Sequence, residues 1–406
     1  MASLTRTTLD RLTAPSAPNG RQSAYEEFER LPLPSPADEA WRYVEIEGDF
    51  TQLDLPLAPG PELLPDPFTS SLTSSARAVL TDGHVVWADG EFVSSTLVLL
   101  GMVPASTDKF AAAHLAFGSG GASVKLPPGK VTAAPIVIEV QATSDGSVSF
   151  PHVSLEVGAN AEAEAVIVYR SPDHVTATVN PQLEITLGDG ARLKLLAVQE
   201  FGISTTAVVH QQVRLGRDAT FRLGEVGLGG DVARLDLGIE LDGQGSSSEV
   251  AGLFFGHRSQ VLDYRMRITH RGRNTTSKVL LKGAVEDQAQ SVFSGLLRIE
   301  KDAVRSSSFE TNRNLVLSPD AKAHSVPNLE ILCDDVLCGH GSSVGPLEEE
   351  HMYYLQSRGL SPARAERLLV KGFFREVIDK LPVRGLDDEL TTVLDRRFVG
   401  SHEAPA

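Results

Sequence analysis

The residues best suited to chemistry lie close together near the C-terminal end of the chain. Cys338 and His340 are two residues apart, and Asp334 and Asp335 lie just upstream. If this segment is an extended strand, both side chains project from the same face, because successive side chains of a strand alternate. Thiolate and imidazole are ligands that iron–sulfur centres and zinc accept. One cysteine and one histidine cannot fill a coordination sphere, so the sequence predicts half of a metal or cluster site.

A structural explanation of these residues stays open at this point: a cysteine tucked into a coil and a histidine satisfied by a backbone carbonyl. Nearby carboxylates disfavour the thiolate form, so Asp334 and Asp335 argue against a highly reactive free nucleophile. The other cysteine, Cys333, shares the apolar parity of Leu329 and Ile331. The alternation therefore predicts that Cys333 faces the core.

Composition excludes several classes of protein. The 406 residues contain 37 Lys and Arg against 53 Asp and Glu, a net charge of −16, which repels nucleic acid and anionic lipid. Two cysteines make no disulfide framework, so we expect a reducing, cytoplasmic location. No run of 18 apolar residues and no signal-peptide pattern is visible, so we expect no membrane association.

Three regions differ in their sequence texture. Residues 1–118 combine short helical and strand patterns, and we expect a mixed N-terminal region there. In residues 119–345, short Val-, Ile- and Leu-rich runs alternate with turns, and the turn glycines Gly158, Gly188 and Gly216 are 30 and then 28 residues apart. A repeated turn–strand unit without helices predicts a β-solenoid, with a β-sandwich as the competing interpretation. Residues 346–406 show a helical pattern.

The helical tail carries one strongly apolar face. Val370, Phe374, Val377 and Leu381 follow the spacing i, i+4, i+7 and i+11. So small a tail has little core of its own, so this face must either pack on the solenoid or bind another chain. We expect it to bind a partner.

Signatures of common enzymes are absent from the sequence. There is no Gly-x-x-x-x-Gly-Lys-Ser/Thr phosphate loop, so the chain itself should bind and hydrolyse no nucleotide. The zinc-protease pattern His-Glu-x-x-His and the Gly-x-Ser-x-Gly nucleophile elbow are also missing. The basic run from Arg265 to Arg273 is best explained as a solvated sheet face.

Three blocks of sequence resemble the SufB/SufD family of iron–sulfur cluster assembly proteins. The segment from Val326 to Val377 resembles the family's C-terminal signature, and its Cys-Gly-His-Gly version resembles the SufD branch. Residues 31–43, which end in Asp-Glu-Ala-Trp-Arg-Tyr, resemble the N-terminal box. Residues 277–283 together with 292–295 resemble the mid-chain box.

The resemblance implies a right-handed parallel β-helix flanked by an N-terminal mixed α/β region and a C-terminal helical domain. It implies a non-catalytic scaffold that pairs with a SufB-like subunit and a SufC-like ATPase, and that meets sulfur donors and apo-protein acceptors indirectly. At the position of His340, the resemblance implies a residue that works with a cysteine of the SufB-like partner on a nascent cluster. Cys338 fills the neighbouring thiol position, and the tail is expected to dock the ATPase.

Two other classes of function stay open from the sequence. Parallel β-helices also serve as polysaccharide-active enzymes, although these are mostly exported and need a cleft with clustered acids, arginines or calcium. A purely structural solenoid with a zinc staple is the other alternative. A homodimer is a further option for the isolated chain.

Overall fold

The computed structural model describes residues 2–12, 20–60, 63–64, 69, 72–383 and 385–400. No helix in these ranges is long and apolar enough to cross a membrane. Two short 3₁₀ turns, Glu39–Trp41 and Phe50–Gln52, accompany the α-helices. In chain order the α-helices are α1 (Arg6–Leu12), α2 (Arg21–Arg30), α3 (Lys109–Phe117), α4 (Glu349–Ser357), α5 (Pro362–Ile378) and α6 (Asp387–Gly400).

Strands dominate the middle of the chain and follow one another with short turns between them. In chain order they are β1 (Ala76–Thr81), β2 (His84–Asp89), β3 (Val93–Ser94), β4 (Gly121–Leu126), β5 (Ile136–Gln141), β6 (Ser147–Ser149), β7 (His152–Val157), β8 (Glu162–Arg170), β9 (Ala177–Val179), β10 (Gln182–Leu187), β11 (Arg192–Glu200), β12 (Thr205–Leu215), β13 (Thr220–Gly227), β14 (Val232–Leu241), β15 (Ser247–Gly256), β16 (Val261–His270), β17 (Thr276–Val285), β18 (Gln290–Ile299), β19 (Ser306–Val316), β20 (Lys322–Ile331) and β21 (Val336–Gly345).

These strands form two long sheets that face each other. One has the order β2-β1-β5-β8-β11-β13-β15-β17-β19-β21, and the other contains β20-β18-β16-β14-β12-β10-β7-β4-β3. Successive coils pair in parallel, whereas β1–β2 and β3–β4 are antiparallel. The result is a β-solenoid of about eight turns, so the predicted solenoid is confirmed and the β-sandwich interpretation is wrong. Because β1 pairs with β5, the ten-stranded sheet begins upstream of the expected boundary at residue 119.

The repeated glycines lie where the turns of successive coils stack. The Gly188 N–H donates to the Val157 carbonyl at 2.8 Å, and the Gly216 N–H donates to the Leu187 carbonyl at 2.8 Å. A Cβ on Gly216 would lie 2.8 Å from Asp189 Oδ1 and 3.0 Å from the Leu187 oxygen. Any larger residue would push the stacked turns apart, which explains why the repeat is marked by glycine.

The N-terminal helices cover the outer face of the sheet that contains β12, β14, β16 and β18. Phe28 packs edge-on against Phe117 at 5.4 Å, and Trp41 stacks on Phe110 at 5.9 Å between ring centroids. This aromatic cluster continues into Val208, Val232 and Val292 of the sheet.

The C-terminal helices cover the outer face of the other sheet, which corrects one prediction. Val370, Phe374 and Val377 are fully buried and Leu381 is 1% exposed. They pack on sheet residues such as Val226, as the sequence allowed for a tail without its own core. Since the solenoid of the same chain covers this face, the expectation that these four side chains bind a partner is wrong.

Candidate functional site

Cys338 and His340 both lie on β21, the last strand of its sheet among the described residues. Cys338 pairs in register with Ser308, and His340 pairs with Glu310 of β19. Ser308 is fully buried and Glu310 is 3% exposed, so this parity faces the solenoid interior. Paired residues of parallel strands share a face, so Cys338 and His340 both belong to the inward face, as their two-residue spacing predicts.

The site lies at the open end of the solenoid. In the described ranges, β20 and β21 form the final coil, and no further strand pairs with either of them. Cys338 is therefore half-buried and His340 is exposed, although both have interior parity. A ligand or a partner chain can approach both side chains along the solenoid axis.

The interior changes from apolar to polar as it approaches this end. Two columns of residues, stacked in register from one coil to the next, end at the candidate residues. All their members before the final coil are buried. From earlier to later coils, the columns are Phe221–Ser248–Ser277–Ser308–Cys338 and Leu223–Val250–Val279–Glu310–His340.

Hydrogen bonds join the two sheets across this polar end. The Ser342 hydroxyl donates to Ser325 Oγ at 2.7 Å, and Ser325 donates to Asn312 Oδ1 at 2.8 Å. The amide of Asn314 donates to the same Asn312 oxygen at 2.7 Å. This network fixes the shape of the last coil next to His340, where apolar packing is thin.

Glu310 is a buried acid at this end that the motif analysis missed. A Cβ on Gly295, across the interior, would lie 2.2 Å from Glu310 Oε2, so the glycine leaves room for the carboxyl group. Burial raises the pKa of Glu310 to about 7, and within the described part of the chain its Oε2 has no hydrogen-bond partner. The sequence does contain a sign of this polar interior. Along β19 the side chains that face the core are polar, whereas Phe309 points outward and is 47% exposed.

Cys333 does not face the core, contrary to the prediction from the sequence. It lies in the connection between β20 and β21 and is half-buried. The alternation that suggested burial fails here because, among the residues that the structure describes, no later coil covers the final one; even Leu329 is 37% exposed. Within the described ranges, no three His, Cys, Asp or Glu side chains group closely enough to hold a metal ion.

Comparison with known proteins places the chain in a known family. Residues 140–373 match the family model described as the SUF system FeS cluster assembly, SufBD core domain. The chain belongs to the SufBD family.

The SufBD assignment agrees with named relatives from several bacteria. An iron–sulfur cluster assembly SufBD family protein of Mycobacterium tuberculosis is 34% identical over 65% of this chain and 68% of its own length. The cluster assembly protein SufD of Bacillus subtilis is 29% identical over 71% of this chain and 67% of its own. That of Escherichia coli is 25% identical over 93% and 92%, respectively. The predicted family is thus confirmed, and the chain has a role in iron–sulfur cluster assembly.

Both candidate residues lie inside the segment that matches the SufBD core. The match also contains most of α5, which packs on the solenoid. Beyond the buried face of this tail, large apolar side chains remain exposed on its outer side: Tyr353 (75%), Tyr354 (55%) and Leu368 (50%).

Proposed function

We propose that this chain is a SufD-like scaffold subunit that pairs end to end with a SufB-like subunit and holds one side of a nascent iron–sulfur cluster. The observation that carries the proposal is the open final coil, where a thiol and an imidazole of interior parity lie in a polar setting. The family match favours this role over a polysaccharide-active enzyme.

The last coil has the features of a pairing edge. An edge strand presents backbone donors and acceptors that another strand can match. Around this edge, Leu332, Leu337 and Val344 are 52%, 70% and 46% exposed. Burying these side chains against a partner would supply the hydrophobic contribution that the polar interior of this coil lacks.

The hydrogen-bond pattern identifies which donors of β20 face the free edge. The Lys322 and Leu332 N–H groups donate inward to the Ala289 and Ile299 carbonyls of the preceding coil. Because donors alternate along a parallel strand, odd-numbered residues such as Ile331 direct their N–H groups outward. Pro327, which has no N–H, occupies this outward parity, as expected for proline on an edge strand.

The cluster is cargo in this proposal, and each chain supplies part of its ligands. Cys338 and His340 offer one sulfur and one nitrogen ligand, so a cysteine of the SufB-like partner would be needed for the rest. This arrangement suits a site that forms only when the two subunits meet.

The SufC-like ATPase would dock on the outer side of the helical tail. The exposed aromatic pair Tyr353 and Tyr354 on α4, with Leu368 on α5, replaces the buried face that the sequence suggested. Since the chain has no phosphate loop, ATP hydrolysis by the SufC-like subunit would affect this chain through this contact. We also place the complex in the cytoplasm, where thiols stay reduced.

Replacement of His340 tests the site. His340→Ala should leave the complex with SufB-like and SufC-like subunits assembled, as measured by size-exclusion chromatography. Anaerobic reconstitution of that complex should form clusters about tenfold more slowly or worse, as iron and sulfide analysis would measure. His174→Ala, which replaces an exposed histidine in the connection between β8 and β9, is the matched control and should behave as wild type. Cluster formation at the wild-type rate in His340→Ala would refute the site.

A proline at residue 331 tests the pairing separately. Ile331→Pro removes an outward N–H without removing a hydrogen bond inside the coil, so the isolated chain should keep its fold and lose affinity for the SufB-like subunit. Glu330→Pro is the contrasting variant, because it removes an inward donor and should destabilise the isolated chain. Undiminished pairing by a folded Ile331→Pro chain would exclude this edge.

A further inference from the structure

A large pocket lies away from the candidate cluster site, between the N-terminal segment and the outer face of the sheet. Its volume is about 460 Å³, within the usual range for small-molecule sites. One wall is the segment from Glu39 to Tyr43, and the floor is formed by β14, β16, β18 and β20.

The three sequence blocks that resemble the family meet at this pocket. Arg42 and Tyr43 come from the N-terminal box, Ser294 comes from the mid-chain box, and Val326 and Asn328 come from the C-terminal signature. Neither the cluster site nor the helical tail uses the N-terminal box, so the scaffold role leaves these residues unexplained.

The wall of the pocket is held rigidly against the sheet. Arg265 Nη2 donates to the Arg42 carbonyl at 3.0 Å, and the Gln290 amide donates to the Tyr43 carbonyl. Tyr43 itself has a φ of 72°, a left-handed conformation that is costly for an aromatic residue. Arg265 is therefore part of a built structure, and the expectation that the basic run is simply a solvated face is wrong for this residue.

Two of the four arginines at the pocket are neutralised by buried acid. Arg265 Nε donates to Asp263 Oδ2 at 3.0 Å, and Arg234 donates to the same oxygen. Arg234 also lies 3.8 Å from Asp236 and 3.9 Å above the Trp41 ring. These two side chains hold the site together and are not free to bind a ligand.

The other two arginines are exposed and line the pocket from two separate segments of the chain. Arg42 belongs to the wall, and Arg267 belongs to the floor. Among the described residues, neither has a carboxylate within ion-pairing distance, although the exposed Glu39 also lines the pocket. In a chain with a net charge of −16, two unneutralised guanidinium groups at one cavity favour an anion.

Part of the floor is apolar. Leu296 and Val326 expose apolar surface there, the polar residues Ser294 and Asn328 lie beside them, and the Tyr43 ring borders the floor. That ring is already stacked on His324, with 4.2 Å between centroids and an interplanar angle of 8°. A flat ligand would bury apolar surface on this floor and extend towards an aromatic wall.

We propose that this pocket binds an aromatic anion, with its acidic group between Arg42 and Arg267 and its ring system over Leu296 and Val326. The class comprises flat ring compounds that bear a phosphate, sulfonate or carboxylate group. The proposal is independent of the cluster site, because it concerns another face of the solenoid.

The test uses two dyes that differ in one charged group. 1-Anilinonaphthalene-8-sulfonate should bind the full-length chain with one-to-one stoichiometry, measured by fluorescence and calorimetry. Its uncharged analogue N-phenyl-1-naphthylamine should bind at least about tenfold more weakly, because the charge-assisted hydrogen bonds are lost. Arg42→Ala and Arg267→Ala should each weaken sulfonate binding about tenfold or more, and Arg267→Lys should restore part of it.

Matched controls separate this pocket from nonspecific binding. Arg313→Ala removes an exposed arginine from the other sheet and should leave affinity unchanged. Circular dichroism should show that the Arg42 and Arg267 variants are folded, as expected for exposed side chains. No sulfonate binding at about 1 mM, equal affinity in the double Arg42→Ala/Arg267→Ala variant, or equal binding of both dyes would overturn the proposal.

Discussion

Glu225 provides a quantitative test of the solenoid interior. It lies on β13 with interior parity, pairs in register with Gly252, and is 5% exposed. It lines a cavity of about 20 Å³, together with Gln211 and Tyr264, which is room for about one water molecule. Burial raises the pKa of Glu225 to about 8 from the ordinary value of 4.5. Glu225 is therefore protonated in the folded chain near neutral pH.

The sign of its effect on stability follows from this raised pKa. Below about pH 4.5, folded and unfolded chains both hold the proton and Glu225 imposes no penalty. Between about pH 4.5 and 8, the unfolded chain releases the proton while the folded chain keeps it, so the free energy of unfolding falls by about 1.4 kcal/mol per pH unit. Above the folded pKa, the loss levels off at roughly 5 kcal/mol.

Glu225→Gln should remove this pH dependence, because glutamine keeps the shape and does not ionise. Urea unfolding gives the free energy of unfolding of the variant minus that of the wild type at each pH. This difference should be about 2.7 kcal/mol larger at about pH 7.5 than at about pH 5.5. Comparing the two chains cancels the contribution of all other titrating groups. Glu249→Gln is the control, because Glu249 lies on the outer face in an exposed pair with Arg222 and should show no such change. A wild-type-to-variant difference that is the same at both pH values would refute the reasoning.

The remaining predictions concern metal binding and the helical tail. The chain alone, reconstituted anaerobically, should retain little iron because it supplies too few soft ligands, and a stable, near-stoichiometric cluster on it would contradict the half-site. Phe374→Ala should destabilise the chain by about 3–5 kcal/mol in urea unfolding, because it opens a cavity between tail and solenoid. Tyr353→Ala should leave stability unchanged and weaken co-purification with a SufC-like subunit; full retention of that subunit would exclude α4 as the docking surface.

The solenoid fold can be predicted from the sequence because each repeat is formed by residues that are close together in the chain. Turns that stack on one another require glycine at close approaches such as Gly188 and Gly216, so the coil length can be counted along the chain. The spacing of Cys338 and His340 likewise determines that they share a face once a strand is assumed. Both inferences use neighbouring residues only.

Other features depend on contacts between distant segments. Such contacts could not be predicted from local patterns in the sequence. The apolar face of α5 is evident from its spacing. The same spacing would result whether Phe374 is covered by the solenoid or by another chain. Cys333 follows the apolar alternation, yet alternation cannot reveal that the described part of the chain adds no further coil beyond it. The pocket at Arg42 joins residues more than two hundred positions apart in the chain.

The polar interior of the final coils links stability to assembly. A solenoid that ended in an apolar interior would expose that surface whenever the chain is alone, and exposed apolar edges promote aggregation. Ser308, Glu310 and Asn312 instead give the last coils an interior that tolerates water, at the expense of hydrophobic stabilisation. Such an end can exist unpaired and, in the proposed complex, would still leave Cys338 and His340 within reach of the partner. It follows that replacing Glu310 by leucine should stabilise the isolated chain and impair cluster formation in the complex, because the same polar groups that weaken the coil keep the site hydrated and accessible.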